Sequence, residues 1–342
     1  MSTYYITNDV VPYEMLGIDS SSGEVADAFG IPDGFMLVGN SQNGLLYLGN
    51  EVKTLINVID PETRTVAVTI TPALSNAFYN NFDIDPALHR LYIFEEAGVL
   101  VYDTDTNEQV DFFGVSGTIA FSTPKGLVDP TTHNLVLFFG GYPTNCAQAT
   151  VLDSNGGTVT AISNLCGDYK ESALSPDGQT LYSIGYNYQS PDNNLRIYDM
   201  TSSMMTTEAL PGSVTDFLGI AVNSKNGNVY LMNATNWIYV YHPATRQFSG
   251  PFDVGSFGSV NYYLGAAFDP DRNQLLLRSF DQLKIVDTGT MTTVNDIAAD
   301  VANGNFQKPA ILTQSGPCGG GATGPTGATS PITYNKLHYY NL

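Results

Sequence analysis

Ile56-Asn57-Val58-Ile59-Asp60 is a short apolar run that ends in an aspartate, and the polar turn Pro61-Glu62-Thr63-Arg64 follows before a second β-rich run begins. The pattern recurs along the chain. It appears as Met15-Leu16-Gly17-Ile18-Asp19, Leu100-Val101-Tyr102-Asp103, Thr150-Val151-Leu152-Asp153 and Leu195-Arg196-Ile197-Tyr198-Asp199. Tyr239-Val240-Tyr241-His242 and Leu283-Lys284-Ile285-Val286-Asp287 complete the set. The final residues of these runs are 41, 43, 50, 46, 43 and 45 positions apart. Seven copies at so even a spacing mark a repeat architecture rather than a chance motif.

A second marker lies between the first ones. Apolar strands end at Asn40, Asp85, Asp129, Ser175, Asn223 and Asp269, and each is followed by a turn and a further strand. The turns carry hairpin chemistry, as in Asn43-Gly44, Asp177-Gly178 and Asn226-Gly227, because Gly takes up the positive φ that tight hairpins demand. The strands after them often contain Leu-Tyr, as in Leu46-Tyr47, Leu91-Tyr92 and Leu181-Tyr182. Each repeat therefore reads as four antiparallel strands, the unit of a propeller blade. In this reading the Asp-terminated run is the first strand of a repeat. Ala310-Ile311-Leu312-Thr313-Gln314 is then the third strand of the seventh repeat, and Tyr4-Tyr5-Ile6-Thr7-Asn8 supplies its missing fourth. Joining the two termini in one sheet leaves no blade with an unpaired seam. The fold expected is all-β, a seven-bladed propeller over residues 1–315 closed by the N-terminal strand, with an extended C-terminal tail.

Tyr5-Ile6-Thr7-Asn8, followed by a run ending in Asp and a Ser- or Thr-containing turn, resembles the YVTN-type propeller repeat. The resemblance implies the fold, with relatives among bacterial and archaeal surface proteins and, in divergent form, lactonase-like propellers. It covers about residues 3–315 and is a blade signature, so it constrains activity little.

Composition removes several functions. The chain has 33 acidic against 13 basic residues, a net charge of −20. Nucleic-acid binding needs clustered Lys and Arg, and docking on anionic lipid needs the same. Neither is expected. No stretch approaches the ~20 apolar residues of a membrane-spanning helix, so no membrane insertion is expected. The first residues lack the basic and apolar regions of a signal peptide.

Candidate chemistry is sparse. The recurring Asp19, Asp60, Asp103, Asp153, Asp199 and Asp287 read as turn residues that accept backbone N–H bonds. His89, His133, His242 and His338 are scattered, without metal-ligand spacing. No nucleophile elbow, P-loop or H-E-x-x-H motif occurs, so no catalytic residue and no cofactor-binding residue is assigned. Asp9, Glu51, Glu95 and Glu96 fall on connections at one mouth of the channel, where carboxylates of the lactonase-like branch would converge on a divalent metal. Their oxygens suit Ca²⁺. Trp237, Tyr262 and Tyr263 are amphipathic aromatics expected to make protein or glycan contacts.

Cys146 and Cys166 lie nearly equidistant from the turn at Ser154-Asn155-Gly156. They are expected to face each other across a hairpin and form a disulfide, which implies an oxidising setting. From Gly316 the composition changes. Gly321-Ala322-Thr323, Gly324-Pro325-Thr326 and Gly327-Ala328-Thr329 resemble the Thr-rich collagen-like repeats of bacterial spore, phage and giant-virus surface proteins. Residues 316–331 therefore read as a linker carrying Cys318, the odd cysteine, available to another chain. Residues 332–342 read as an interaction peptide through Tyr334, Leu337, Tyr339 and Tyr340, with copies of the chain or other surface proteins as partners. Together these features predict a non-enzymatic structural or interaction protein of an extracellular surface, filament or virion. A lactonase-like or other metal-dependent hydrolase at the channel mouth is the alternative.

Overall fold

A computed structural model of the chain describes residues 2–8, 13–34, 36–50, 52–74, 79, 81–115, 125–129, 131–139, 146–166, 168–186, 194–211, 217–233, 237–255, 265–278, 282–298 and 310–313. These form seven four-stranded antiparallel sheets. The chain opens with β1 (Ser2–Asn8), β2 (Glu14–Asp19) and β3 (Val25–Gly30), and the first complete blade is β4 (Met36–Asn40), β5 (Leu45–Gly49), β6 (Ile56–Asp60) and β7 (Thr65–Ile70). The second is β8 (Asn81–Asp85), β9 (Arg90–Glu95), β10 (Gly98–Asp103) and β11 (Gln109–Gly114). The third is β12 (Lys125–Val128), β13 (Leu135–Phe139), β14 (Cys146–Leu152) and β15 (Thr158–Cys166). The fourth comprises β16 (Asp168–Leu174), β17 (Thr180–Tyr186), β18 (Asn194–Asp199) and β19 (Met204–Ala209). The fifth comprises β20 (Phe217–Val222), β21 (Val229–Asn233), β22 (Trp237–His242) and β23 (Gln247–Asp253). In the sixth, β24 (Gly265–Asp269), β25 (Gln274–Arg278), β26 (Gln282–Asp287) and β27 (Thr292–Ala298) follow in turn, and β28 (Ala310–Thr313) returns to join β1, β2 and β3.

The seam closes through β1 and β28, with Tyr4 opposite Ile311 and Tyr5 opposite Ala310. Closure by the N-terminus is as expected, but the phase of the repeat differs. The inner strands of neighbouring blades pack on one another, β28 on β4, β4 on β8, β8 on β12 and β16 on β20. Ala310–Thr313 is therefore the innermost strand of its blade, and the Asp-terminated runs are third strands rather than first. The N-terminus contributes three strands to the closing blade and the C-terminus one. A repeat has no intrinsic beginning, so local patterning cannot tell which strand faces the channel.

Both faces of each sheet are buried, which explains the near-continuous apolar runs. On β6, Val58 packs toward the second blade with Ile93 and Leu100. Its neighbour Ile59 packs toward the closing blade with Met15 and Leu312. Alternating side chains of one strand thus serve two blade interfaces. Leu46, Leu48 and Leu91 are fully buried, each worth about 1.5–3 kcal/mol of apolar burial. The outer strands are different. Val66, Val68 and Val110 are 39%, 36% and 48% exposed, because among the described residues no element packs over the outer edge of the ring.

Candidate functional site

Strand direction divides the molecule into two faces. Turns that follow inner and third strands lie on one, the turn face. Connections from second to third strands, and from outer strands to the next blade, lie on the other, the loop face.

On the turn face the repeated aspartates are occupied. Asp19 Oδ1 accepts the Ser21 and Ser22 N–H groups, Asp60 Oδ1 those of Glu62 and Thr63, and Asp103 Oδ1 those of Asp105 and Thr106. Asp153, Asp199 and Asp287 repeat the pattern. For Asp103, Asp199 and Asp287 the N–H of Thr106, Ser202 and Thr290 is the largest influence holding the carboxyl below its ordinary range. His242 takes the same slot, with Nδ1 at 3.1 Å from Asn228 Oδ1 and Nε2 at 2.9 Å from Ser249 Oγ.

A second ring ends the inner strands. Asp85, Asp129 and Asp269 each accept a backbone N–H two residues on, as do Asn40 and Asn223. The free oxygens of two of them reach the next blade. Asp85 Oδ2 meets His133 Nδ1 at 2.7 Å, and Asp269 Oδ2 accepts the Tyr4 hydroxyl at 2.8 Å. His89 pairs with Asp105. These acids and imidazoles tie turns and blades together.

The loop face carries another population. Glu95, the last residue of β9, is 1% exposed, and Glu96 beside it is exposed. Asp9 and Glu51 lie outside the described residues. Among the described residues no three His, Cys, Asp or Glu side chains converge as a metal centre. The residues in view thus supply two of the four expected donors, adjacent in the chain but unequal in burial. Asp83 is buried on β8, where Oδ2 accepts the Val128 N–H at 2.9 Å. Asn81 bridges to both backbone groups of Gly126 at 2.9 and 3.0 Å, extending the inner strand of one blade onto the next.

Arg196, Arg278 and Lys284 are also buried, at 3%, 2% and 4% exposure, and Lys284 Nζ meets Asp296 at 2.8 Å. Sequence reasoning did not single out these cations. A signal for two of them was available. The position three before each marker holds Leu16, Asn57, Leu100, Thr150, Arg196, Tyr239 and Lys284, so charged side chains replace the uncharged residues of sister blades.

The connection between β5 and β6 is the most tightly built on this face. Asn50 Oδ1 accepts the Thr54 and Leu55 N–H groups at 2.8 Å each, and the Lys53 N–H donates to the Asn50 carbonyl at 3.0 Å. Tyr79, from the connection to the second blade, is fully buried against it. Its N–H donates to the Lys53 carbonyl at 3.0 Å and its hydroxyl to the Leu55 carbonyl at 2.9 Å. Gly49 makes room, since a Cβ there would lie 2.3 Å from the Tyr79 hydroxyl and 2.8 Å from the Phe82 ring. Burial pushes the Tyr79 hydroxyl well above its ordinary pKa, and the Asp33 carboxylate adds to this.

Lys53 itself has φ of 58°, a left-handed conformation that costs a non-glycine residue about 1–2 kcal/mol. Eight other described non-glycine residues share positive φ: Arg64, His89, Asn107, His133, Ser203, Arg246, Asn273 and Met291. All eight sit in turn-face hairpin turns. Lys53 is the exception among the described residues, on the loop face and half-buried, and burial lowers its ammonium pKa.

Among the aromatics, Trp237 starts β22 and is 40% exposed, opposite Asp253. Tyr262 and Tyr263 lie outside the described residues, as do Cys318, Tyr334, Leu337, Tyr339 and Tyr340. Cys146 is paired with Cys166 in the register of β14 and β15. No disulfide is found among the described residues, and the side chains of this pair lie outside them.

No family model matches the chain, and no curated protein does. Solved structures do. AztD from Citrobacter koseri is 12% identical, with a TM-score of 0.60 over 92% of this chain and 99% of that one. Hydrazine synthase from Kuenenia stuttgartiensis is 12% identical, with a TM-score of 0.62 over 84% and 90%. The dihydro-heme d1 dehydrogenase NirN is 12% identical, with a TM-score of 0.56 over 87% and 64%.

The chain is a seven-bladed β-propeller. The expectation of a non-enzymatic structural protein of a surface, filament or virion does not stand beside these neighbours. Two of the three are enzymes by name, and none is named as a surface structural protein. The physical reason is that composition and missing motifs describe blades, whereas activity on this scaffold is set by a few loop residues.

Proposed function

We propose that the propeller is a lactonase-like or other metal-dependent hydrolase whose site is the loop-face mouth of the channel. The observation that carries this reading is a run of acids along the loop-face connections of neighbouring blades. The recurring strand-ending aspartates of the turn face accept backbone N–H groups, and Asp85 and Asp269 also reach neighbouring blades. On the loop face, the connection from second to third strand carries acids in three consecutive blades: Asp9 in the closing blade, Glu51 in the first, and Glu95 with Glu96 in the second. Oxygen donors of this kind suit Ca²⁺, which would hold and polarise a carbonyl oxygen. The enzyme names of fold-sharing structures are consistent with such a site.

Two finer assignments belong to the same proposal. Ancestry within the YVTN-type repeats is supported by Tyr5-Ile6-Thr7-Asn8. Residence in an oxidising compartment is supported by the register of Cys146 with Cys166.

The test is calorimetric titration of chelator-treated protein with Ca²⁺, followed by a panel of lactones and simple esters. Binding and hydrolysis that disappear together on chelation, and in Glu95→Gln, are the expected result. Protein that binds no divalent cation and hydrolyses nothing in the panel would sink the proposal.

A further inference from the structure

Where the first and second blades meet on the turn face, several buried polar groups are under-bonded. Asn40 ends β4 and is fully buried. Its Oδ1 accepts the Gln42 N–H at 3.0 Å, which fixes the amide orientation, yet Nδ2 meets no acceptor among the described residues. Tyr47 stands opposite Val38 in the β4–β5 ladder, so Asn40, two residues past Val38, shares a sheet face with Tyr47. That face packs on the second blade, where Tyr47 is fully buried in one cluster with Ile93 and Leu100. Across the interface the Tyr47 hydroxyl reaches the Thr104 carbonyl only at 3.4 Å, well beyond the ~2.8 Å usual for a hydroxyl donor. Thr104 follows β10 and is 3% exposed, and its Oγ1 also has no partner among the described residues. Burial raises the Tyr47 hydroxyl's pKa, and the Asn43 and Asn40 side chains beside it oppose the rise.

We propose that this junction encloses one internal water molecule, which accepts from Asn40 Nδ2, donates to Thr104 Oγ1 and bonds the Tyr47 hydroxyl. Buried polar groups left unpaired are costly, and an internal water makes about three hydrogen bonds to such groups. The chemistry selects water over an ion. A cation would face the N–H of the Asn40 amide. An anion would sit near the Asp105 and Asp103 carboxylates, whose charge bears on Tyr47, in a molecule of net charge −20. The water joins β4 and β5 of one blade to the turn after β10 of the next, much as Asp85 with His133 and Tyr4 with Asp269 join theirs directly. The junction is on the turn face, so its occupant is independent of the proposed hydrolase site.

The test is a high-resolution crystal structure of the full chain, paired with oxygen-17 magnetic relaxation dispersion in solution, which counts long-lived internal waters. Wild type should show a density peak within ~2.6–3.2 Å of both Asn40 Nδ2 and Thr104 Oγ1. Thr104→Val removes the hydroxyl while keeping the shape, and should lose the peak together with one long-lived water. Thr104→Ser, which restores the hydroxyl, should keep both. No peak in wild type, or Asn40 Nδ2 bonded directly to Tyr47 or Thr104, overturns the proposal. A water equally long-lived in folded Thr104→Val overturns it as well. A peak held only by oxygens at about 2.3–2.6 Å would be a cation and would refute the water assignment. The wild-type structure decides the matter even if Thr104→Val does not fold.

Discussion

The Tyr4 hydroxyl donates to Asp269 Oδ2 at 2.8 Å across the seam of the ring, joining residues 265 positions apart. Asp269 is fully buried and also caps its own turn through the Asp271 N–H at 2.8 Å. Burial, then the Asp269 charge, pushes the Tyr4 hydroxyl far above its ordinary pKa, so it remains a donor at any ordinary pH.

Removing that hydroxyl tests how much the seam contributes. Tyr4→Phe keeps the ring and leaves a buried carboxylate oxygen short of a donor, which costs about 1–3 kcal/mol. Urea unfolding should show a lower midpoint with an unchanged slope. A Tyr4→Phe protein as stable as wild type would mean that the seam rests on apolar packing and the β1–β28 ladder alone.

Gly126 is a second sensitive point. A Cβ there would lie 2.0 Å from the Phe94 ring, so Gly126→Ala must displace an aromatic side chain buried between the second and third blades. Overpacking of this kind costs about 1–3 kcal/mol. Gly30→Ala, with nothing within 4 Å of its Cβ, is the matched control. Thermal melts should separate the two variants clearly.

The turn-face aspartates make stability depend on acid. Hydrogen bonds from Ser21, Thr106, Ser202 and Thr290 favour the charged forms of Asp19, Asp103, Asp199 and Asp287, so their folded pKa values lie below the unfolded ones. Their contribution is complete above the unfolded value of ~3.9 and is lost as pH falls through the folded value. Denaturation midpoints should therefore be flat between pH 7 and 5 and drop below about pH 4. Asp103→Asn, which cannot gain a proton, should show a shallower drop than wild type.

Cys146 and Cys166 stand opposite each other in the ladder. Protein prepared without reductant should be lighter by two hydrogens in intact mass and resist alkylation at both positions. Closing a loop of this length would stabilise the fold by about 3 kcal/mol, lost on reduction and in Cys146→Ser. Full alkylation of unreduced protein would remove the disulfide, and with it the argument for an oxidising compartment.

The sequence alone determined the ring and its closure. Residue spacing revealed seven units, and the likeness of Tyr4–Asn8 to Leu46–Asn50 placed the N-terminus beside Ile311, because hydrophobic alternation and turn chemistry are local properties. Tertiary structure decided the phase of the repeat, since only packing between blades tells an inner strand from a third one. It also decided which charges matter. Asp85 and Glu95 look alike in the chain, yet one latches a neighbouring blade on the turn face and the other is buried at the loop-face mouth. Lys53 carries no motif at all. Its strained backbone arises from Asn50 and Tyr79, whose contacts span two blades and leave no trace in sequence periodicity.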